Sequence, residues 1–257
     1  MDFLMTYHTD KGTTKNVNQD SVGYKAIKKG DMKYAMMIVC DGMGGLQKGE
    51  MASATVVNAF MEWFERDFPG FSDDFDYALI QDETNKHIIK CNQTLHDYGV
   101  ENNLQLGTTL SMIIIRSDGL YLIANVGDSR IYLIGNDNAM QLTEDQTYIA
   151  EEIKNNRMTK EEAMTSKYRN VLTQCIGVSN VVNPLYFRGK AISGEMFLAC
   201  SDGFRHFISE DDIYSEFATA SRRNDPEEWR EILKKITDSN MSKGEKDNIT
   251  ASLVKLV

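Results

Sequence analysis

Proline is scarce in this chain, with 3 in 257 residues, and no glycine- or serine-rich tract takes its place. Nothing in the composition therefore marks a linker between domains, and one domain over 1–257 is expected. Cysteine is almost as rare. Cys40, Cys91, Cys175 and Cys200 lie far apart, with no second Cys or His at metal-ligating spacing. That excludes a zinc site and a disulfide framework and leaves reduced, mostly buried thiols as the expectation. Long apolar runs are missing too: stretches such as Tyr34 to Cys40 and Met112 to Ile115 fall far short of the roughly 20 residues that cross a bilayer. The opening MDFLMTYHTDKG lacks the basic start and apolar run of a signal peptide, so a cytoplasmic protein with no membrane partner is expected. Positive charge is in deficit, 28 Lys plus Arg against 38 Asp plus Glu for a net charge of −10. Without a concentrated basic footprint, binding of nucleic acid is not expected.

What is present is an ordinary globular composition, 42% hydrophobic and 26% charged. Short runs rich in β-branched and aromatic residues predict strands at Ser21 to Ile27, Tyr34 to Cys40, Thr108 to Ile115, Leu120 to Val126, Arg130 to Ile134, Asn183 to Arg188, Glu195 to Cys200 and Asn248 to Leu256. Ser117-Asp118-Gly119 and Gly127-Asp128-Ser129 are tight-turn sequences, so the middle of the chain reads as an antiparallel meander. Helical periodicity appears from Gly49 to Phe64 and from about Asp76 to Tyr98. A third helix is predicted after Asp225, with Pro226 at its first position, Glu228 at the capping-box position and Trp229, Ile232, Leu233 and Ile236 on one apolar face. Strands in meanders with helices in blocks argue for antiparallel sheets covered by helices, an α+β layered sandwich. Residues 144–170 differ, being densely charged and weakly apolar with one short capped helix near Thr159 and Glu162. They read as a surface flap.

Four aspartates stand out. Asp41 ends the apolar run Met37-Ile38-Val39-Cys40 and leads into Gly42-Met43-Gly44-Gly45, where glycines allow a sharp turn and close approach to a ligand. Asp202 follows Phe197 to Ser201 in the same way, Asp247 opens the last strand, and Asp128 stands in Asn125-Val126-Gly127-Asp128-Ser129-Arg130. Carboxylates at strand ends suit hard divalent cations, which take oxygen ligands and keep several waters. Two such ions can acidify a water and clamp an in-line phosphoryl displacement. Singly, each Asp-Gly pair reads equally as a turn.

Taken in order, Thr9-Asp10-Lys11-Gly12, Asn18-Gln19-Asp20-Ser21, Val39-Cys40-Asp41-Gly42-Met43-Gly44-Gly45, Gly107-Thr108-Thr109-Leu110, Asn125 to Arg130, Ser201-Asp202-Gly203-Phe204 and Asp247-Asn248-Ile249-Thr250 make the chain resemble the type-2C metal-dependent serine/threonine protein phosphatases in their bacterial single-domain form. The resemblance spans Thr9 to about Leu253. It implies a β-sandwich of two antiparallel sheets flanked on both sides by α-helices, a four-layer αββα arrangement. It also implies a centre of two Mn²⁺ or Mg²⁺ ions, with a weaker third. By motif, Asp41 would bridge the two ions, the Gly42 carbonyl would bind one, and Asp202 and Asp247 the other; these aspartates would act through metal-bound water. Asp20 would reach metal through water, and Asp128 would hold the third ion with Asp202.

The implied activity is hydrolysis of phosphoserine and phosphothreonine on proteins by metal-activated water, by a monomer opposing a cognate serine/threonine kinase. Three departures from the pattern matter. Lys15 stands where the family carries a phosphate-gripping Arg, and as a point charge it lacks the bidentate fork; it reads either as a phosphate contact or as a solvated lysine. Gln19 replaces a frequent Glu. Met43 occupies the place of a His that some relatives use as general acid, which leaves leaving-group protonation to water. Two other readings stand beside this one: a phosphatase-fold module that binds metal or phosphoprotein without turnover, and a two-metal hydrolase of nucleic acid or small esters.

Overall fold

A computed structural model describes residues 1–43, 48–71 and 74–257, with Met164 described by its backbone alone. The run Tyr34 to Cys40 explains the layering. It lies in β3 (Met32–Asp41), which pairs antiparallel with β2 (Asp20–Lys29) on one side and β4 (Leu110–Arg116) on the other. Alternate side chains of a strand point to opposite faces. Ala35, Met37 and Val39 accordingly enter a core shared with Ile131, Phe197, Ala199 and Val254 of a second sheet. Met36, Ile38 and Cys40 face a different core with Phe60, Trp63 and Phe64. A continuously apolar strand is the consequence of burial on both faces.

The first sheet continues through β5 (Leu120–Val126) to β8 (Leu185–Lys190), giving the order β2-β3-β4-β5-β8. The second runs β1 (Phe3–Asp10), β10 (Ile249–Leu256), β9 (Met196–Cys200), β6 (Arg130–Ile134) and β7 (Ala139–Gln141). Every pairing is antiparallel. Helices α1 (Gly49–Arg66) and α2 (Tyr77–Asn102) cover the outer face of the first sheet. Two short helices, α3 (Tyr148–Lys154) and α4 (Lys160–Thr165), follow β7, and α5 (Asp202–Arg205) is a single turn after β9. Helices α6 (Glu210–Phe217) and α7 (Pro226–Ser242) cover the second sheet through Ile213, Phe217, Trp229 and Leu233. The four-layer α+β sandwich is the expected one.

Several local expectations are corrected. β1 is a strand that the sequence reading did not anticipate, and so are β7 and helix α6. The 144–170 segment carries two helices, not one; α4 has the Thr159–Glu162 capping box expected of it. At α7 the Asp225 carboxylate accepts from the Glu227 and Glu228 amides, but the Glu228 carboxylate turns to Arg223 at 2.9 Å. Glycines Gly44 and Gly45 lie outside the described residues. Met36 and Met37 are core residues, and all four cysteines are free, with Cys40, Cys91 and Cys200 buried. Among the described residues no helix is long and apolar enough to cross a membrane.

Candidate metal centre

Antiparallel order brings the aspartates to one end of the sandwich. β2 begins where β3 ends, so Asp20 and Asp41 are direct cross-strand partners. β5 ends beside the start of β4, with Leu110 opposite Val126, and delivers Asp128 just beyond. In the second sheet β9 ends at Cys200, opposite both Ala251 of β10 and Arg130 of β6, so Asp202 and Asp247 emerge at that same end.

The backbone around Asp41 is held from several sides. The Asp41 amide donates to Thr109 Oγ1 at 2.9 Å, while the Asp41 carbonyl accepts from the Thr109 amide and the Thr108 hydroxyl, each at 2.9 Å. Gly42 donates its amide to the Gln19 carbonyl at 3.1 Å. A Cβ on Gly42 would lie 2.3 Å from the Gly49 carbonyl oxygen and 2.4 Å from that of Gln19, so only glycine lets β3 pass beneath the start of α1. On the other side, buried Asn248 accepts the Gln19 amide at 2.9 Å and donates to the carbonyls of Lys11 and Val17. This clamps the loop bearing Lys15 beside Asp247.

The electrostatics are unusual for a folded interior. Neither carboxylate oxygen of Asp20 has a hydrogen-bond partner, and neither does Oδ1 of Asp202, although all three atoms are buried. Burial, added to the charges of Asp202 and Asp247, pushes the Asp20 carboxyl up to about 7; the hydroxyls of Thr250 and Ser201, themselves engaged elsewhere, offset part of this. Burial and then the charge of Asp20 push Asp41 well above the usual carboxylate range. Asp202 is raised chiefly by burial. Buried charges of one sign need a compensating cation or a proton.

Compensation from the protein itself is uneven. Lys15 Nζ rests 2.8 Å from Asp247 Oδ1. Burial pulls the Lys15 ammonium down, but the Asp247 hydrogen bond and the charges of Asp247, Asp41 and Asp202 more than offset it, so its affinity for a proton is raised. Asp128 meets Arg205 Nη2 at 2.9 Å, and burial, with the charge of Asp202, still lifts it to about 6. Gln19 turns its amide toward Glu50 at 3.4 Å.

The sequence reading missed several members of this end, although His206 stands out among the histidines for following the Asp202 motif. Glu245, almost fully buried, accepts from His206 Nδ1 at 2.8 Å and from the amides of Lys246 and Asp247. His206 also places Nε2 3.5 Å from Asp202 Oδ2. Arg130 grips Asp145 with two hydrogen bonds of 2.8 and 2.7 Å, fixing the base of the 144–170 segment. A groove of about 580 Å³ runs along that segment, lined by Glu144, Asp145, Ile149, Ile153 and Leu185 among others. Only Arg205 and His206 carried a signal in the sequence, since they lie three and four residues after Asp202, the spacing of one helical turn.

Among the described residues no three His, Cys, Asp or Glu side chains are drawn together tightly enough to grip an ion as they stand. The donor chemistry nevertheless fits a hard divalent cation: oxygen donors only, several buried without partners, on strand ends fixed by backbone hydrogen bonds.

Comparison with known proteins identifies the family. The profile of the protein phosphatase 2C family matches residues 7–238, and the chain belongs to that family. The serine/threonine phosphatase Stp of Listeria innocua is 32% identical over 254 residues, covering 96% of this chain and 94% of that protein. Among solved structures, the serine/threonine phosphatase of S. agalactiae superposes with a TM-score of 0.84 at 28% identity, covering all of both chains. The catalytic domain of the serine/threonine protein phosphatase PstP, solved with two manganese ions, shares the fold at a TM-score of 0.76 and 24% identity, covering 99% of this chain and 98% of that one.

Proposed function

We propose that the chain is one catalytic unit over 1–257 that hydrolyses phosphoserine and phosphothreonine on proteins, using two divalent cations, Mn²⁺ or Mg²⁺. The observation that carries this reading is the set of buried carboxylate oxygens on Asp20 and Asp202 that have no partner, at the end of the sandwich shared with Asp41 and Asp247. Asp41 and the Gly42 carbonyl would help hold the two ions. Asp202 and Asp247 would hold them as well, with Asp20 acting through water. When bound, such ions supply Lewis acidity, lowering the pKa of water and neutralising phosphoryl oxygens.

The protein's own part is to hold these groups still. The Thr108, Thr109 and Asn248 hydrogen bonds fix the strand ends, so little reorganisation accompanies the reaction. Lys15 is assigned to the substrate phosphate, moving off Asp247 to do so. Water attacks phosphorus directly and no side chain becomes phosphorylated, since no nucleophilic side chain is required. The 144–170 segment and its groove are assigned to selection among phosphoproteins. A cytoplasmic monomer that opposes a serine/threonine kinase completes the proposal.

The test is hydrolysis of p-nitrophenyl phosphate and of a phosphothreonine peptide with Mn²⁺, with Mg²⁺ and with chelator. Turnover that needs the metal and disappears in Asp41→Asn supports the assignment. Metal binding and phosphopeptide binding without turnover would instead make the chain a binding module.

A further inference from the structure

Asp128 is the aspartate whose surroundings depart most from what the family resemblance implies. It leaves β5 in the turn Gly127-Asp128-Ser129 and is 7% exposed. The place expected to hold a third ion is already taken by a side chain. Arg205 Nη2 lies 2.9 Å from Asp128 Oδ2 and 3.7 Å from Asp145 Oδ2, and Arg205 Nε donates to the Asp128 carbonyl at 3.3 Å. The Arg205 side chain is itself only 13% exposed. It gets there because α5 starts at Asp202, so one helical turn carries the guanidinium from the Asp202 strand end across to Asp128.

A divalent ion and this guanidinium cannot share the site. The ion needs several oxygens at roughly 2.0 to 2.6 Å and space for its retained waters, whereas the guanidinium already fills that space, with Nη2 on Asp128 Oδ2 and Nε on the Asp128 carbonyl. A tethered cation also forms its contacts without losing the freedom of a separate particle. His206, next on the same turn, brings its ring to Asp202, the carboxylate a third ion would have to share.

We infer that Arg205 is a resident substitute for a third metal ion, so that the chain binds two divalent cations and Asp128 serves to dock Arg205. The inference rests on the two-metal reading above. It has a structural corollary. Because Asp145 is held by Arg130 and also lies beside Arg205, the base of the 144–170 segment is tied to the site by fixed protein charges instead of by an exchangeable ion.

The experiment is a titration of the metal-stripped, full-length protein with Mn²⁺, following heat and the spin-resonance signal of free Mn²⁺. The wild type is expected to saturate at two ions, and Asp128→Asn also at two. Arg205→Ala is expected to gain a third, weaker ion that is lost again in the double variant Arg205→Ala/Asp128→Asn. A wild type that binds three ions and falls to two in Asp128→Asn overturns the inference while leaving the two-metal reading intact. A folded Arg205→Ala that still stops at two overturns the substitution by Arg205. If Arg205→Ala does not fold, wild type against Asp128→Asn decides the matter alone. A wild type that binds fewer than two ions removes the two-metal reading and the inference with it.

Discussion

The two sides of the acidic end contrast sharply. On one side Asp20 and Asp41 are cross-strand partners on β2 and β3, with Asp20 buried and both its oxygens unpartnered. On the other, buried Asp128 and half-buried Asp145 are met by Arg205 and Arg130. Each side sets one buried aspartate, Asp20 or Asp128, beside a half-buried one; what differs is whether the fold supplies a cation. An unpaired buried carboxylate is tolerated only when something from solution completes it, a proton or a metal ion, whereas a paired one is already complete. The uncompensated side is thus prepared for an exchangeable cation, and the compensated side acts as scaffold.

The largest effect should come from breaking the unpaired side. Asp41→Asn is expected to lower metal-dependent turnover by about 10²–10³-fold, the range for losing one electrostatic anchor of a transition state. It should also raise the melting temperature in chelator, because an amide replaces a carboxylate crowded by like charges. A loss under tenfold in a p-nitrophenyl phosphate assay would break the contrast.

Next comes pH. The folded Asp20 carboxyl is raised to about 7, against about 3.9 in an unfolded chain. The folded state therefore holds its protons more tightly than the unfolded one. The stability this contributes is fully present below about pH 4 and is lost as pH rises toward 7. In chelator, urea unfolding should show a fall on the order of 3 kcal/mol across that window. Saturating Mn²⁺ should flatten it, and an unchanged slope with metal would count against Asp20 as a member of the centre.

A smaller effect is expected on the paired side. Arg130→Met strands Asp145 and should cost about 2–3 kcal/mol, less than for a fully buried pair because solvent still reaches Arg130. That cost should be equal with and without Mn²⁺. Smallest is removal of residues 159–165, the capped helix of the charged segment. Its expected signature is a change of about tenfold, roughly 1.4 kcal/mol, between protein substrates, with small-ester hydrolysis nearly unchanged. Equal losses on both would refute a selective role.

Much of this was legible along the chain. The β3 run, the turn at Gly119, the Asp225 cap and the Thr159–Glu162 box all act within a few residues, where local sequence governs backbone geometry. β1 escaped because an edge strand buries only part of one face and shows no alternation. Helix α6 is eight residues long and uses Asp212, in place of a Glu or Gln, to close its capping box with Ser209. β7 is three residues long, too short to carry a period. In the site, the aspartates were visible through the apolar strands they terminate, but Glu245 and Asp145 follow no such run and look like ordinary surface acids until the fold buries Glu245 and pairs Asp145 with Arg130.

By itself the sequence determined the family, the strand-rich layering and the aspartates offered to a metal centre, because those depend on side-chain periodicity and on short motifs. Only the tertiary structure decided which carboxylates would be completed from within. Arg205 reaches Asp128 across 77 positions of chain, and His206 reaches Glu245 across 39. Charge pairing acts over a few ångströms of space and takes no account of distance along the backbone.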